Sequence, residues 1–190
     1  TADDSAAPRR SLSLRLGVSL TVLAFVLELA ADILRGIAAS RVPWANMYEF
    51  SLTGTVLIVA VFLVVITRVD LRFLGTFVAG LVLILLGIST LNYYVDIAPL
   101  PPALQSAWLV IHVFVASLGT AFFALGFALS GIQLLQYRRE NRAVEAKPAK
   151  LRFLASLPDS VRLENLAYRV NIVGFVFWTF TLMAGAVWAE

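Results

Sequence analysis

The chain has 190 residues, 60% of them apolar and only 14% charged, with a mean hydropathy of +0.86 and a formal net charge of +3. A water-soluble domain carries about a quarter charged residues, so these figures exclude a soluble globular protein and point to helices packed in a lipid bilayer. The lack of cysteine excludes disulfides, thiolate metal sites and thiol–disulfide exchange within this chain.

A hydrocarbon core of about 30 Å needs about 20 mostly apolar helical residues per crossing. The sequence supplies five such runs, which predicts an all-α, polytopic transmembrane helix bundle. Residues 1–11 (TADDSAAPRRS) are polar, include Pro8 and two arginines, and read as a disordered cytoplasmic lead-in to a transmembrane domain over 12–190. The lead-in is not a secretory signal, because the apolar run behind it is too long and lacks a clean cleavage site. A start without Met and a stop at Glu190 without a polar tail give the chain the look of a fragment.

The first span covers about 12–38. Glu28, Asp32 and Arg35 fall on one face of it, and lipid will not accept that face, so it turns into the bundle or a wet cavity. The plainest reading pairs Asp32 with Arg35 and leaves Glu28 without a nameable partner. Arg41-Val-Pro-Trp-Ala-Asn-Met-Tyr-Glu-Phe50 follows. Asn46 can cap the next helix with Glu49 three residues on, as in a capping box. Trp44 and Tyr48 sit at headgroup level, where they could also line a surface site.

The second span is 51–67, and Arg68 to Arg72 form a short charged turn. The third, 73–94, ends in the interfacial signature Asn92-Tyr93-Tyr94. Residues 95–102 (VDIAPLPP) cannot be helical throughout. The fourth span is 107–137, and a polar, basic cytoplasmic loop occupies 138–165. Within that loop Pro158-Asp159-Ser160 is a helix-start signal. Leu163, Leu166 and Val170 then predict a helix on the interface before the fifth span, 170–189.

With the N-terminus inside, every Lys and Arg except Arg35 and Arg41 falls on the inner side. The positive-inside rule therefore predicts a cytoplasmic N-terminus, as in a bacterial plasma membrane, with His112 and residues 41–50 toward the outer face. The basic residues thus act as topology signals, and no nucleic-acid partner is expected.

His112 is the only histidine, and no Asp, Glu, Lys or Arg occurs from Ile97 to Tyr137. A lone ionisable ring just inside a membrane helix is a functional-site hypothesis by default. Trp108 precedes it by one turn on the same face. A neutral imidazole in an apolar surround suits a metal, and a haem iron needs such an axial ligand between apolar and aromatic walls. The alternatives are a proton carrier and a packed histidine bonded to a neighbouring helix. No second His or HExxH spacing supports a zinc site, and no Walker, GxGxxG or GxSxG motif is present. Ala116, Gly119, Ala124, Gly126, Ser130 and Gly131 suit close helix contacts in lipid.

Pro43-Trp44-Ala45-Asn46-Met47-Tyr48-Glu49-Phe50 resembles the PWxNMYEF signature of the System II cytochrome c biogenesis family (CcsA, CcsB or ResC type). Leu104 to Val113 is similar to its LxSxWLxIHV segment. Leu157-Pro158, Glu164 to Arg169 and Gly174-Phe175 resemble its cytoplasmic loop and following span. Gly185-Ala186-Val187-Trp188-Ala189 is similar to the GAxWA run that leads into its tryptophan-rich WWD segment.

The resemblance implies a membrane subunit that presents haem b on the outer face for attachment to the CXXCH cysteines of apocytochrome c. His112 then matches the first of two external histidines that ligate the iron. Trp108, Trp44, Asn46, Tyr48 and Glu49 are expected beside it as cofactor-binding residues, and Arg35 or Arg41, the two arginines toward the outer face, is expected to face an anionic propionate. The WWD segment and the second external histidine are not in this chain, so this stretch alone is expected to be inactive as a haem lyase, and no catalytic residue is assigned. The implied partners are a ResB-like membrane subunit, apocytochrome c and a thiol-reducing system. Two other readings stay open: a haem or small-molecule transporter with Glu28, Asp32 and Arg35 along a pathway, or a scaffold without cofactor.

Overall fold

Each of the five apolar runs forms a helix long enough to cross a membrane. The computed structural model describes residues 6–100, 105–144 and 157–188, with the side chains at 6–11, 142–144 and 188 left out. Part of the lead-in, Pro101 to Leu104, the basic residues Lys147, Lys150 and Arg152, and Ala189 of the last motif lie outside the described residues.

The helices are α1 (Ala6–Ala39), α2 (Met47–Ile66), α3 (Gly75–Asn92), α4 (Ala107–Val144) and α5 (Ser160–Trp188), with a 3-10 turn at Arg72–Leu74 before α3. α1 starts at Ala6, so the lead-in from there on is helical. Pro8 fits in a first turn, where a backbone N–H would lack a partner anyway. α2 is the central helix, touching α1, α3 and α4, and α4 makes its most extensive contact with α5. Phe62, Leu71, Leu74, Leu125, Leu129 and Leu163 are fully buried where α2, the 3-10 turn, α4 and α5 meet. Large apolar side chains such as Leu83, Leu91, Phe175 and Met183 face outward, as a lipid-facing surface allows, since tails are as apolar as leucine.

α4 has 38 residues, a length of about 57 Å at 1.5 Å per residue. That exceeds a hydrocarbon core of about 30 Å, so Arg138, Arg139 and Arg142 continue the helix rather than begin a loop. Glu140 then reaches across to α5. Its carboxylate accepts from the Ser160 backbone N–H at 3.1 Å and bonds the Ser160 hydroxyl. Asp159 accepts from the Arg162 N–H at 2.7 Å, which makes the Pro158-Asp159-Ser160 signal a working helix start. No break separates an interfacial helix from the last span. α5 runs continuously because Leu163, Ala167 and Val170 pack on the same core.

In the connection between α2 and α3, Arg72 clamps Asp70 at 2.7 Å. The guanidinium hydrogen bonds hold the Asp70 carboxyl below its usual range.

α1 ends in a sharp reversal. Ser40 has a φ of 52°, and the Ser40 and Arg41 N–H groups return to Ile37 at 3.1 Å and Gly36 at 3.2 Å. The returning chain crosses Gly36, where a Cβ would lie 3.3 Å from the Arg41 carbonyl oxygen. A left-handed serine costs energy that glycine avoids, partly offset by glycine's greater entropy loss. Ser40→Gly is therefore expected to stabilise the protein by about 0.5–1 kcal/mol, read as a higher unfolding temperature in detergent. An unchanged or lower temperature would contradict the strain at this turn.

Candidate functional site

The reversal at Ser40 brings the last turn of α1 against the first turn of α2. Arg35 Nε donates to Glu49 Oε1 at 3.1 Å, and Arg41 donates to Glu49 Oε2 at 2.7 Å and to Oε1 at 3.3 Å. Glu49 is fully buried, and both arginine side chains are only 11% exposed. Two guanidinium groups on one carboxylate leave a surplus of positive charge, which backbone carbonyls take up. Arg35 also donates to the Val95 carbonyl at 2.8 Å and Arg41 to that of Ala98 at 3.1 Å. The triad thus ties α1, α2 and the 95–98 segment together. Arg41 Nε is buried without a partner.

Asn46 caps α2 from an extended backbone, its Oδ1 accepting from the Glu49 N–H at 2.9 Å. The carboxylate of Glu49 returns to the N–H of Ala45 at 2.9 Å, one residue short of the capping-box partner. The two arginines draw it there. Asp32 does not pair with Arg35. It accepts from the Thr53 hydroxyl at 2.9 Å, which in turn accepts from Trp44 Nε1 at 3.0 Å. Arg35 lies instead over the rings of Tyr48 and Tyr94, 5.4 and 5.9 Å from their centroids, and the two rings meet edge-on at 5.2 Å. Thr53, which the sequence pattern did not single out, and Tyr94, read there only as an interfacial residue, are further members of this cluster.

Arg41 and Trp44 line a pocket of about 560 Å³, closed on its other side by Ser106, just before α4, and by Leu109, Val110 and Val113 in its first turns. His112 and Trp108 do not line this pocket. Trp108 is 37% exposed. His112 faces α5, where a Cβ added to Gly185 would lie 2.9 Å from its Cε1. Its Nδ1 is buried without a hydrogen-bond partner. The residues singled out from sequence therefore form two groups at one end of the bundle, the Arg35–Arg41–Glu49 cluster and the His112 side of α4.

Glu28 belongs to neither group. It lines a separate, largely apolar cleft of about 1050 Å³ between α1, α2 and α3, its Oε1 buried and unpartnered. Glu28, Asp32 and Arg35 thus share a helix face without sharing one lining. Among the described residues, no three of His, Cys, Asp and Glu gather to hold a metal.

The chain is similar to known proteins over most of its length. The family model described as Cytochrome C assembly protein matches residues 44–190. The Cytochrome c biogenesis protein CcsA of Guillardia theta is 31% identical over 192 residues, covering 92% of this chain and 62% of the relative. The protein of that name from Welwitschia mirabilis is 26% identical, covering 95% and 65%. The one from Synechococcus is 33% identical over 111 residues, covering 49% and 35%. The chain spans about three fifths of the length of the fuller matches.

Proposed function

We propose that this chain, which belongs to the Cytochrome C assembly protein family, is the haem-binding membrane portion of a cytochrome c biogenesis protein, with His112 as an axial ligand of the iron. The observation that carries the reading is the imidazole itself. It is the chain's only histidine, set near the end of a membrane helix with Nδ1 buried and unpartnered. A buried polar atom without a partner costs free energy, so the ring fits a site whose counterpart comes from a ligand. Trp108, one turn away, supplies an aromatic wall.

When bound, haem would supply the vinyl groups for thioether formation with the cysteines of an apocytochrome. The chain's own part is to hold and orient. His112 fixes the iron, and the Arg35–Glu49–Arg41 triad keeps the α1–α2 turn and the 95–98 segment in register beside α4. Both guanidinium groups are engaged with Glu49 and backbone carbonyls. A propionate at Arg41 would thus have to use the unpartnered Nε or displace an existing bond. The partners of this reading are a ResB-like membrane subunit, the apocytochrome and a thiol-reducing system.

The orientation is part of the proposal. The N-terminus faces the cytoplasm and the His112 end faces outward, because every Lys and Arg but Arg35 and Arg41 lies on the other side. Reporters fused after Arg142 are expected to be active as cytoplasmic fusions, and those near Pro99 as external ones. The reverse at either point removes both the topology and an outward haem site.

Cells lacking the gene are expected to keep apocytochrome c but lose covalent c-type haem staining, and trapping should recover haem and apocytochrome on the same purified protein. Haem bound without any apocytochrome complex would favour transport over attachment.

A further inference from the structure

The α4–α5 contact has a regular register. Gly126 faces the Asn171 side chain, Gly119 faces the Trp178 backbone, and His112 faces Gly185. Each step is one heptad along both helices in opposite directions, the period of a left-handed antiparallel pair. At every rung one helix presents glycine. A Cβ on Gly126 would overlap Asn171, and one on Gly119 would sit 3.3 Å from the Trp178 backbone nitrogen. Gly174, between rungs, meets Phe122 and Phe123 at 3.1 and 3.0 Å in the same way. Not every glycine in the chain behaves so: a Cβ on Gly17, Gly87 or Gly131 would meet nothing within 4 Å.

From this register we infer that Gly185 is the positioning residue for His112: α5 presents a Cβ-free surface against which the imidazole lies, and that surface sets the ring's orientation. The helices cannot simply part to admit a methyl group, because the rungs at Gly119 and Gly126 hold them together below. The mobile element at the outer rung is therefore the ring, and a methyl at position 185 turns it. The inference rests on the haem reading for its consequence but not for its geometry.

The test uses the protein in detergent, labelled at histidine Cε1, and assigns His112 as the resonance that disappears in His112→Ala. Gly185→Ala is expected to move that resonance without haem and to lower haem retention several-fold. Gly87→Ala is expected to do neither. Added imidazole should restore haem to His112→Ala but not to Gly185→Ala/His112→Ala, where the new methyl occupies the vacated space.

An unmoved resonance with full haem retention in Gly185→Ala, while His112→Ala loses haem, overturns the inference and leaves the proposed function standing. A moved resonance together with full haem retention in His112→Ala supports the seat and removes the haem reading. Should Gly185→Ala fail to accumulate, Gly185→Ala/His112→Ala decides. Recovered accumulation places the clash on His112, and continued loss overturns the inference.

Discussion

Glu49→Ala is expected to prevent stable assembly. The carboxylate is fully buried and answers two guanidinium groups that are themselves 11% exposed. Removing one partner of a buried ion pair costs about 3–5 kcal/mol, because the other charge is left uncompensated. Here two charges are left, along with the Ala45 N–H that the carboxylate accepts. Native stability is only about 5–15 kcal/mol, so the loss takes a large share of it. Membrane-fraction levels should fall steeply, and any protein recovered should unfold at a much lower temperature in detergent.

Glu49→Gln should keep an acceptor for Ala45 but not the charge, and so be milder though still strongly destabilised. Arg41→Gln in that background should recover part of the loss, because residues in one network do not add independently. Wild-type unfolding in Glu49→Ala would contradict the triad as the tie between α1, α2 and the 95–98 segment.

That triad also marks where sequence reading stopped. Asp32 and Arg35 are neighbours along one helix face, which makes them the natural local pair. The pairing that forms crosses the hairpin, since the left-handed Ser40 folds Arg41 and Glu49 back onto Arg35 while Thr53 occupies Asp32. A turn of that shape leaves no mark in helical periodicity. The five spans were legible because length and apolarity decide them, and the Asn46 cap because capping is local. His112 was legible as a singular residue, but its surroundings were not. Gly185 meets it only through the register of α4 on α5, and the separation of His112 from the Arg41–Trp44 pocket depends on which side of α4 each residue takes. Of the small residues expected to bring helices close, Gly119 and Gly126 do so, whereas Gly131 faces open space.

His112→Ala carries the second large effect. On the proposed ligation, the chain has no other histidine to take over the role. Changes merely in the groups that orient a metal ligand lower affinity about 10–100-fold, so loss of the ligand itself should reduce retained haem by at least about tenfold. The variant should still assemble, because His112 makes no hydrogen bond through Nδ1 and its removal uncovers no charge. His112→Cys should keep some haem with a thiolate-type spectrum, because the axial ligand sets the iron's electronic environment. Haem content and absorption bands of the three proteins, measured at matched protein levels, separate ligation from misfolding.

The central claim, that this histidine serves cytochrome c assembly as an iron ligand, is tested most directly in cells making c-type cytochromes with the complete protein carrying His112→Ala. The account predicts that covalent haem on cytochrome c falls by at least about tenfold and returns in part when imidazole is added to the medium. Undiminished covalent haem in that variant without imidazole, at normal protein level, would contradict it.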